Sequence, residues 1–242
     1  MRRIVLILLA VCTAGVVFAQ TDTASKRPPL RSTAAARGND HFMLQLGYLS
    51  WQDKPDSIRT TGFPRTFSMH FLFAFPFKTN PKWSAAIGAG FSSENMYFER
   101  MYVGIKDATS TLVFQDLKDT THFKKYKLSN TFLEAPVELR FTSNPDDDAH
   151  SIKVAVGAKV GTMLSAMVKG KNLEDKNGNT ILEYTSKEKN KKFFNNNRLS
   201  VTGRLGYGHF SVFGTYSVTP LFKEGVAAAM RPMTIGLTLS GL

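Results

Sequence analysis

Five histidines, His41, His70, His122, His150 and His209, are the side chains of this chain best suited to moving a proton near neutral pH. A catalytic histidine needs a nucleophile within reach and a third group to orient it. None of the five falls in a recognisable pattern with a serine or an aspartate, so the chain is expected not to be an enzyme. Cys12 is the single cysteine and sits inside an apolar N-terminal run. Leu9-Ala10-Val11 ahead of it is close to a lipobox, but Val11 is a poor residue before a lipid acceptor. The rest of the chain therefore has no disulfide and no thiolate chemistry. Asp146-Asp147-Asp148 and Asp175-Lys176-Asn177-Gly178-Asn179 are rich in oxygen ligands. The second lacks the glycine and the distant glutamate of an EF-hand loop, and both have turn composition. Gly157 and Gly161 alternate with apolar residues and do not form a phosphate cradle. No metal and no cofactor is expected.

The charge pattern is more informative. The formal net charge is +12. No helix-turn-helix, zinc-finger or RNP pattern accompanies it, so nucleic acid is not an expected partner. Lysines concentrate in 170–195, where Lys171, Lys176, Lys187, Lys189, Lys191 and Lys192 outnumber the acids Glu174, Asp175, Glu183 and Glu188. The plain reading is a solvated loop. The sharper one is contact with phosphates of lipopolysaccharide or another anionic polymer, since clustered lysines gain about 1 kcal/mol each near an anionic membrane surface.

The elements that must position these charges show period two, the signature of strands. Over 151–169, Ile152, Val154, Val156, Ala158, Val160, Thr162, Leu164, Ala166 and Val168 share one face. The other carries Lys153, Gly157, Lys159, Gly161 and Lys169. Leu133, Ala135, Val137, Leu139 and Phe141 alternate with Glu134, Pro136, Glu138 and Arg140. Phe67, Met69, Phe71, Phe73, Phe75 and Phe77 alternate with Ser68, His70 and Ala74, and Met233, Ile235, Leu237 and Leu239 with Thr234, Gly236 and Thr238. Adding 41–51, 83–98, 196–207 and 210–222 gives eight strands. Successive side chains on a strand point to opposite sides, so each strand separates two unlike media. A mean hydropathy of −0.16 is compatible with a membrane barrel, because alternation averages the two faces.

The connections run 52–65, 78–82, 99–128, 143–150, 170–195, 208–209 and 223–230, long and short in alternation. Long loops on one side and tight turns on the other are the habit of outer-membrane barrels. With a periplasmic N-terminus, the long ones face outward. Tyr48, Trp51, Trp83, Tyr97, Phe98, Tyr207, Phe210 and Phe222 fall near strand ends, as interfacial girdles require. Arg2 and Arg3, the apolar run to Phe18 and the small Ala19 read as a signal peptide over 1–19. Its removal leaves 29 basic against 19 acidic residues, a charge of 29 − 19 = +10. The segment 20–40 reads as a flexible periplasmic lead-in and 41–242 as the barrel.

Eight strands enclose an interior just wide enough to be filled by side chains. It would hold His70, Glu134, Glu138, Arg140, Lys153, Lys159 and Arg204. Both signs occur on adjacent strands, so a paired ionic plug is expected; the alternative is a narrow anion-favouring path. Alternation alone also admits a soluble lipocalin-like barrel, but the small residues of the polar face suit a tight lumen.

Leu133-Glu134-Ala135-Pro136-Val137-Glu138-Leu139, Gly157-Ala158-Lys159-Val160-Gly161 and Pro232-Met233-Thr234-Ile235-Gly236-Leu237-Thr238-Leu239 carry a family resemblance. Over roughly 41–242 the chain resembles the small outer-membrane β-barrel family that includes the PorT-type proteins. The resemblance implies an all-β, eight-stranded antiparallel up-and-down transmembrane barrel in the outer membrane of a Gram-negative bacterium. The expected function is that of a structural or interaction barrel acting through loops 99–128 and 170–195, within a secretion or surface assembly. A small-solute channel and a lipid-modifying enzyme are the alternatives. Expected partners are outer-membrane lipid, lipopolysaccharide or envelope proteins, and the chain is expected to be monomeric.

Overall fold

The structure is a computed structural model and describes residues 42–241. The expected signal peptide, the lead-in, Cys12 and His41 lie outside the described residues. Eleven strands follow one another: β1 (Phe42–Gln52), β2 (Arg65–Pro76), β3 (Trp83–Phe98), β4 (Met101–Val103), β5 (Phe114–Asp116), β6 (His122–Thr142), β7 (Ile152–Glu174), β8 (Thr180–Lys189), β9 (Asn197–Tyr207), β10 (Phe210–Ser217) and β11 (Arg231–Ser240). Eight of them, β1, β2, β3, β6, β7, β9, β10 and β11, pair antiparallel with their neighbours, and β11 closes onto β1. Each neighbour in space is the next barrel strand in sequence, so the barrel is up-and-down. Closure removes every edge in the wall, as a lipid environment demands of a sheet.

The alternation read from the sequence holds through the lower wall. Phe71, Phe73, Leu133, Val137, Leu139, Ile152, Val156, Val160, Ile235 and Leu237 are exposed on the outside. His70, Glu134, Glu138, Lys153, Lys159, Thr234 and Thr238 are buried inside. Pro136, with no N–H to donate, interrupts the β3–β6 ladder: pairing stops at Ile87↔Val137 and resumes at Gly90↔Glu134 in the same register.

The upper ends differ from the sequence expectation. β6 begins at His122, so the expected loop 99–128 stops seven residues earlier (128 − 121 = 7), and β7 runs to Glu174. The expected loop 170–195 is mostly strand, because β8 folds back on β7 as a hairpin beyond the barrel. β10 ends at Ser217 and not at 222. The apolar face expected over 152–168 also breaks. Thr131 pairs with Ser165 but Phe132 pairs with Met163, which leaves Leu164 as an extra residue on β7. A bulge of one residue reverses the phase of every side chain beyond it. Ala166 and Val168 therefore turn inward and are buried, while Leu164 stays exposed on the outer wall.

Candidate functional site

The seven residues expected in the lumen all arrive there. His70, Glu134, Glu138, Arg140, Lys153, Lys159 and Arg204 project inward from β2, β6, β7 and β9 and are buried. Two further charges join them, Glu94 on β3 and Arg198 on β9. Both follow the period of residues already identified: Arg198 lies six residues before Arg204, an even offset along one strand, and Glu94 stands on the inward face with Ser92.

Glu134 is the hub. Its Oε1 accepts from Ser92 Oγ at 3.0 Å and from Arg198, and its Oε2 lies 2.9 Å from His70 Nε2 and 3.8 Å from Lys159 Nζ. Arg198 donates also to Glu94, and its guanidinium stacks 3.7 Å from the centre of the Phe132 ring. Lys159 donates to Gln45 Oε1 at 3.3 Å, and Gln45 donates on to Thr238 at 3.1 Å. Lower down, Glu138 Oε2 accepts from Arg140 Nε and Arg204 Nη2, each at 2.9 Å. Gly157 and Gly161 make room for these carboxylates. A Cβ on Gly157 would sit 3.1 Å from Glu138 Cγ and 2.2 Å from the Val137 carbonyl, and one on Gly161 3.4 Å from Glu134 Cγ. Opposite charge and these hydrogen bonds offset the cost of burying the Glu134 and Glu138 carboxylates.

Above this layer the lumen is apolar. Leu49 and Trp51 from β1, Met96 and Phe98 from β3, and Leu128 and Phe132 from β6 meet Ile58, Ile105, Leu112, Phe193, Phe194, Leu221, Phe222 and Met230 from the loops in one buried cluster. Phe222 is central, with ring centroids 5.9 Å from Trp51, 6.1 Å from Phe114 and 5.1 Å from Phe194. Trp51, Phe98 and Phe222, expected in an interfacial girdle, lie here instead, at 5%, 2% and 1% exposure. Strand-end position gave no information on which side of the wall they fall; inward parity with Leu49 and Met96 decides it for Trp51 and Phe98, and Phe222 lies in a connection that folds inward. Tyr48, Trp83, Tyr207 and Phe210 do stand on the outer surface.

The six loop lysines separate by role. Lys191 Nζ donates to the Met163 carbonyl at 3.0 Å and Lys192 Nζ to the Thr109 carbonyl at 2.8 Å, so both tether loops. Lys176 sits in the turn between β7 and β8, while Lys171, Lys187 and Lys189 lie on those strands. Both Asp-rich stretches form turns. Asp147 accepts from the backbone N–H of His150 at 3.3 Å. Asp175 accepts from the side chain of Asn179 at 3.1 Å and from the N–H groups of Asn177 and Asn179 at 2.8 and 2.9 Å.

The Asn179 side chain and then these backbone donors hold the Asp175 carboxyl below its ordinary value of 3.8. A depressed carboxylate contributes order above its unfolded pKa and loses it as pH falls through its folded pKa. A carboxyl NMR titration is therefore expected to place Asp175 below 3.8, with the hairpin amides of 175–179 shifting in the same acid step. A midpoint at or above that value would remove the capping role.

A closed eight-stranded barrel with an apolar outer wall, a charged interior and its loops gathered at one end defines a protein of the outer-membrane barrel class. The sequence model of the family described as outer membrane protein beta-barrel domain matches residues 18–223, and the chain belongs to that family. Among solved structures it is similar to Ail, the attachment invasion locus protein of Yersinia pestis, both alone and in complex with the heparin analogue sucrose octasulfate. Each is 14% identical, with 84% of this chain and 97% of that chain covered, at TM-scores of 0.34 and 0.36. No curated protein matches the chain.

Proposed function

We propose that this protein is a closed interaction barrel: the wall anchors it in the outer membrane, and the surface formed by the loops and the β7–β8 hairpin does the work. The observation that carries this reading is the double seal of the lumen. An ion crossing it would have to displace Arg198 from Glu94 and Glu134 in one layer. It would then have to pass the apolar cluster around Phe194 and Phe222, each at 1% exposure or less. Side chains packed against one another and held in ion pairs offer no vacant pathway, and a dry apolar layer excludes hydrated ions. In contrast, β8 ends its sheet as an edge strand and exposes Ile181, Leu182 and Tyr184. Exposed edges with apolar side chains are sites where other chains add.

Purified barrel reconstituted in planar bilayers is expected to give no stable open step. Reproducible large currents from the unaltered protein would overturn the reading in favour of a channel.

A further inference from the structure

The outer face of the wall carries an arrangement that neither strand propensity nor the lumen explains. Three successive rows of outward residues run in register over this part of the wall, the lowest crossing β2, β3, β6, β7 and β8. In the lowest, Arg65 pairs with Asn95, Asn95 with Ser129, Ser129 with Met167 and Met167 with Lys189. In the next, Tyr97 pairs with Lys127, Lys127 with Lys169 and Lys169 with Lys187. In the third, Lys125 pairs with Lys171. Directly opposed residues on antiparallel strands hold their Cβ atoms about 5 Å apart, and like charges so placed repel. Here lysine faces lysine three times in two adjoining rows.

No carboxylate enters these rows. Of the acids of the same strands, Glu94 accepts from Arg198 in the lumen, Glu174 pairs with Lys124 at 3.1 Å and Glu188 is opposite the buried Val168, while Glu183 is exposed on β8 beyond these rows. Within these rows the wall thus sets lysines outward, while Glu94 and Glu188 face the other way. The phase reversal at Leu164 is what brings Lys169 and Lys171 to this side, next to Lys127 and Lys125. Between Tyr97 and the lysines of β6 and β7 there is a cavity of about 150 Å³.

The height of the rows identifies what they face. Arg65 stands two residues above the outward Phe67, and Lys169 two above Met167. Two residues are about 7 Å along a strand, so the cations begin one step above the apolar wall. That is the level of lipid headgroups, where side chains on the outer face meet lipid before they meet free solvent. Beside Arg65 the wall is also grooved: Leu46, Tyr48, Phe63, Phe67, Ile235 and Leu237 line a depression of about 570 Å³ that opens at that arginine. Arg65 is held there by a 2.8 Å hydrogen bond to Tyr97 Oη, and Lys127 by one of 2.7 Å to Asn95 Oδ1.

We propose that the rows centred on Lys125, Lys127, Lys169 and Lys171 bind the phosphate groups of a phosphorylated outer-leaflet glycolipid, with Arg65 leading one of its acyl chains into the groove. Bound phosphates relieve the lysine–lysine repulsion that the bare register imposes, and this is the complementary charge the face lacks. The inference goes beyond the closed-barrel reading and does not depend on whether the lumen conducts.

The test reconstitutes the full barrel in phosphatidylcholine nanodiscs doped with either diphosphorylated or dephosphorylated lipid A, and measures the glycolipid retained by native mass spectrometry after detergent release. The unaltered barrel is expected to retain the phosphorylated form at least tenfold over the dephosphorylated one. Replacing Lys125, Lys127, Lys169 and Lys171 by Gln is expected to abolish that preference while the heat-modifiable folded band persists, since all four lie on the outer face. Equal retention of the two glycolipids, or an unchanged preference in the variant, would sink the proposal. Excess inorganic phosphate is expected not to displace the glycolipid. Full displacement would show an anion site without lipid specificity and would also overturn it. Arg65→Gln is expected to weaken retention several-fold at unchanged phosphate selectivity, and no loss would remove the groove from the site.

Discussion

Glu134→Ala is expected to cost the barrel about 3–5 kcal/mol, the range for removing one partner of a buried ion pair. The cost comes from what the substitution leaves behind. Arg198, Lys159 and His70 converge on this carboxylate from β9, β7 and β2, and each is less than 10% exposed. With Glu134 gone, Arg198 keeps Glu94, Ser92 and the Phe132 ring, and Lys159 keeps a hydrogen bond to Gln45 but no carboxylate within 4 Å among the described residues. The loss is an uncompensated buried charge, which is why it exceeds the net worth of the pair. A second variant separates this from simple cavity formation. Arg198→Met alone strands Glu94, but combined with Glu134→Ala it removes one charge of each sign. The double variant is expected to be more stable than the sum of the single effects by at least 1 kcal/mol, as coupled neighbours require. Urea unfolding of the refolded barrel, followed by the heat-modifiable gel band, reads both numbers. A single-variant cost under 1 kcal/mol, or strict additivity, would falsify the hub role of Glu134.

The parts of the fold that could be read from the sequence are those where lipid and lumen impose contrasting demands. Along β2 beyond Arg65, the lower half of β6 and β11 beyond Arg231, outward positions are apolar and inward ones, Leu72 apart, are small or polar, so parity alone sorted His70, Glu134, Glu138 and Arg140 correctly. Above the bilayer that contrast disappears. Over His122–Leu128 both faces mix lysine with aromatic residues, and the segment reads as a loop although it continues β6 without interruption. The bulge at Leu164 has no signal of its own: Leu164-Ser165-Ala166 continues the period of the preceding residues, and only the pairing with β6 reveals the slip. Glu94 and Arg198 were legible in principle, because counting by twos from Ser92 and Arg204 reaches both. Their partnership was not, since β3 and β9 are not neighbours in the wall and meet only across the lumen. The apolar cap was hidden for a related reason. Phe193, Phe194, Leu221 and Phe222 lie in connections, and nothing in a connection's own sequence states that it folds inward.

Phe222→Ala is expected to open the cap without melting the barrel. Truncating a fully buried phenylalanine costs about 3–5 kcal/mol, part from lost transfer energy and part from the cavity that remains. Phe222 touches the wall through Trp51 and the other loops through Phe114 and Phe194, so the cavity falls at the junction where three connections meet. The strands below are held by their ladders and by the Glu134 and Glu138 pairs, none of which involves Phe222. The loss is therefore expected as local opening of the loops, in the sense that segments of one protein unfold with different free energies. Trypsin at Lys191, Lys192 or Lys223, all exposed residues beside the cap, reads that opening directly. When opening and closing are fast relative to cleavage, the rate follows the open population, so the variant is expected to be nicked about a hundredfold faster. The gel band of its folded barrel should remain, and its urea midpoint should move far less than that of Glu134→Ala. If Phe222→Ala instead melts the wall as Glu134→Ala does, the cap and the ionic layer form one cooperative unit, and the picture of two separate seals is wrong. The contrast between the two variants thus tests whether the loops can rearrange around a partner while the barrel stays shut, which a closed interaction barrel requires.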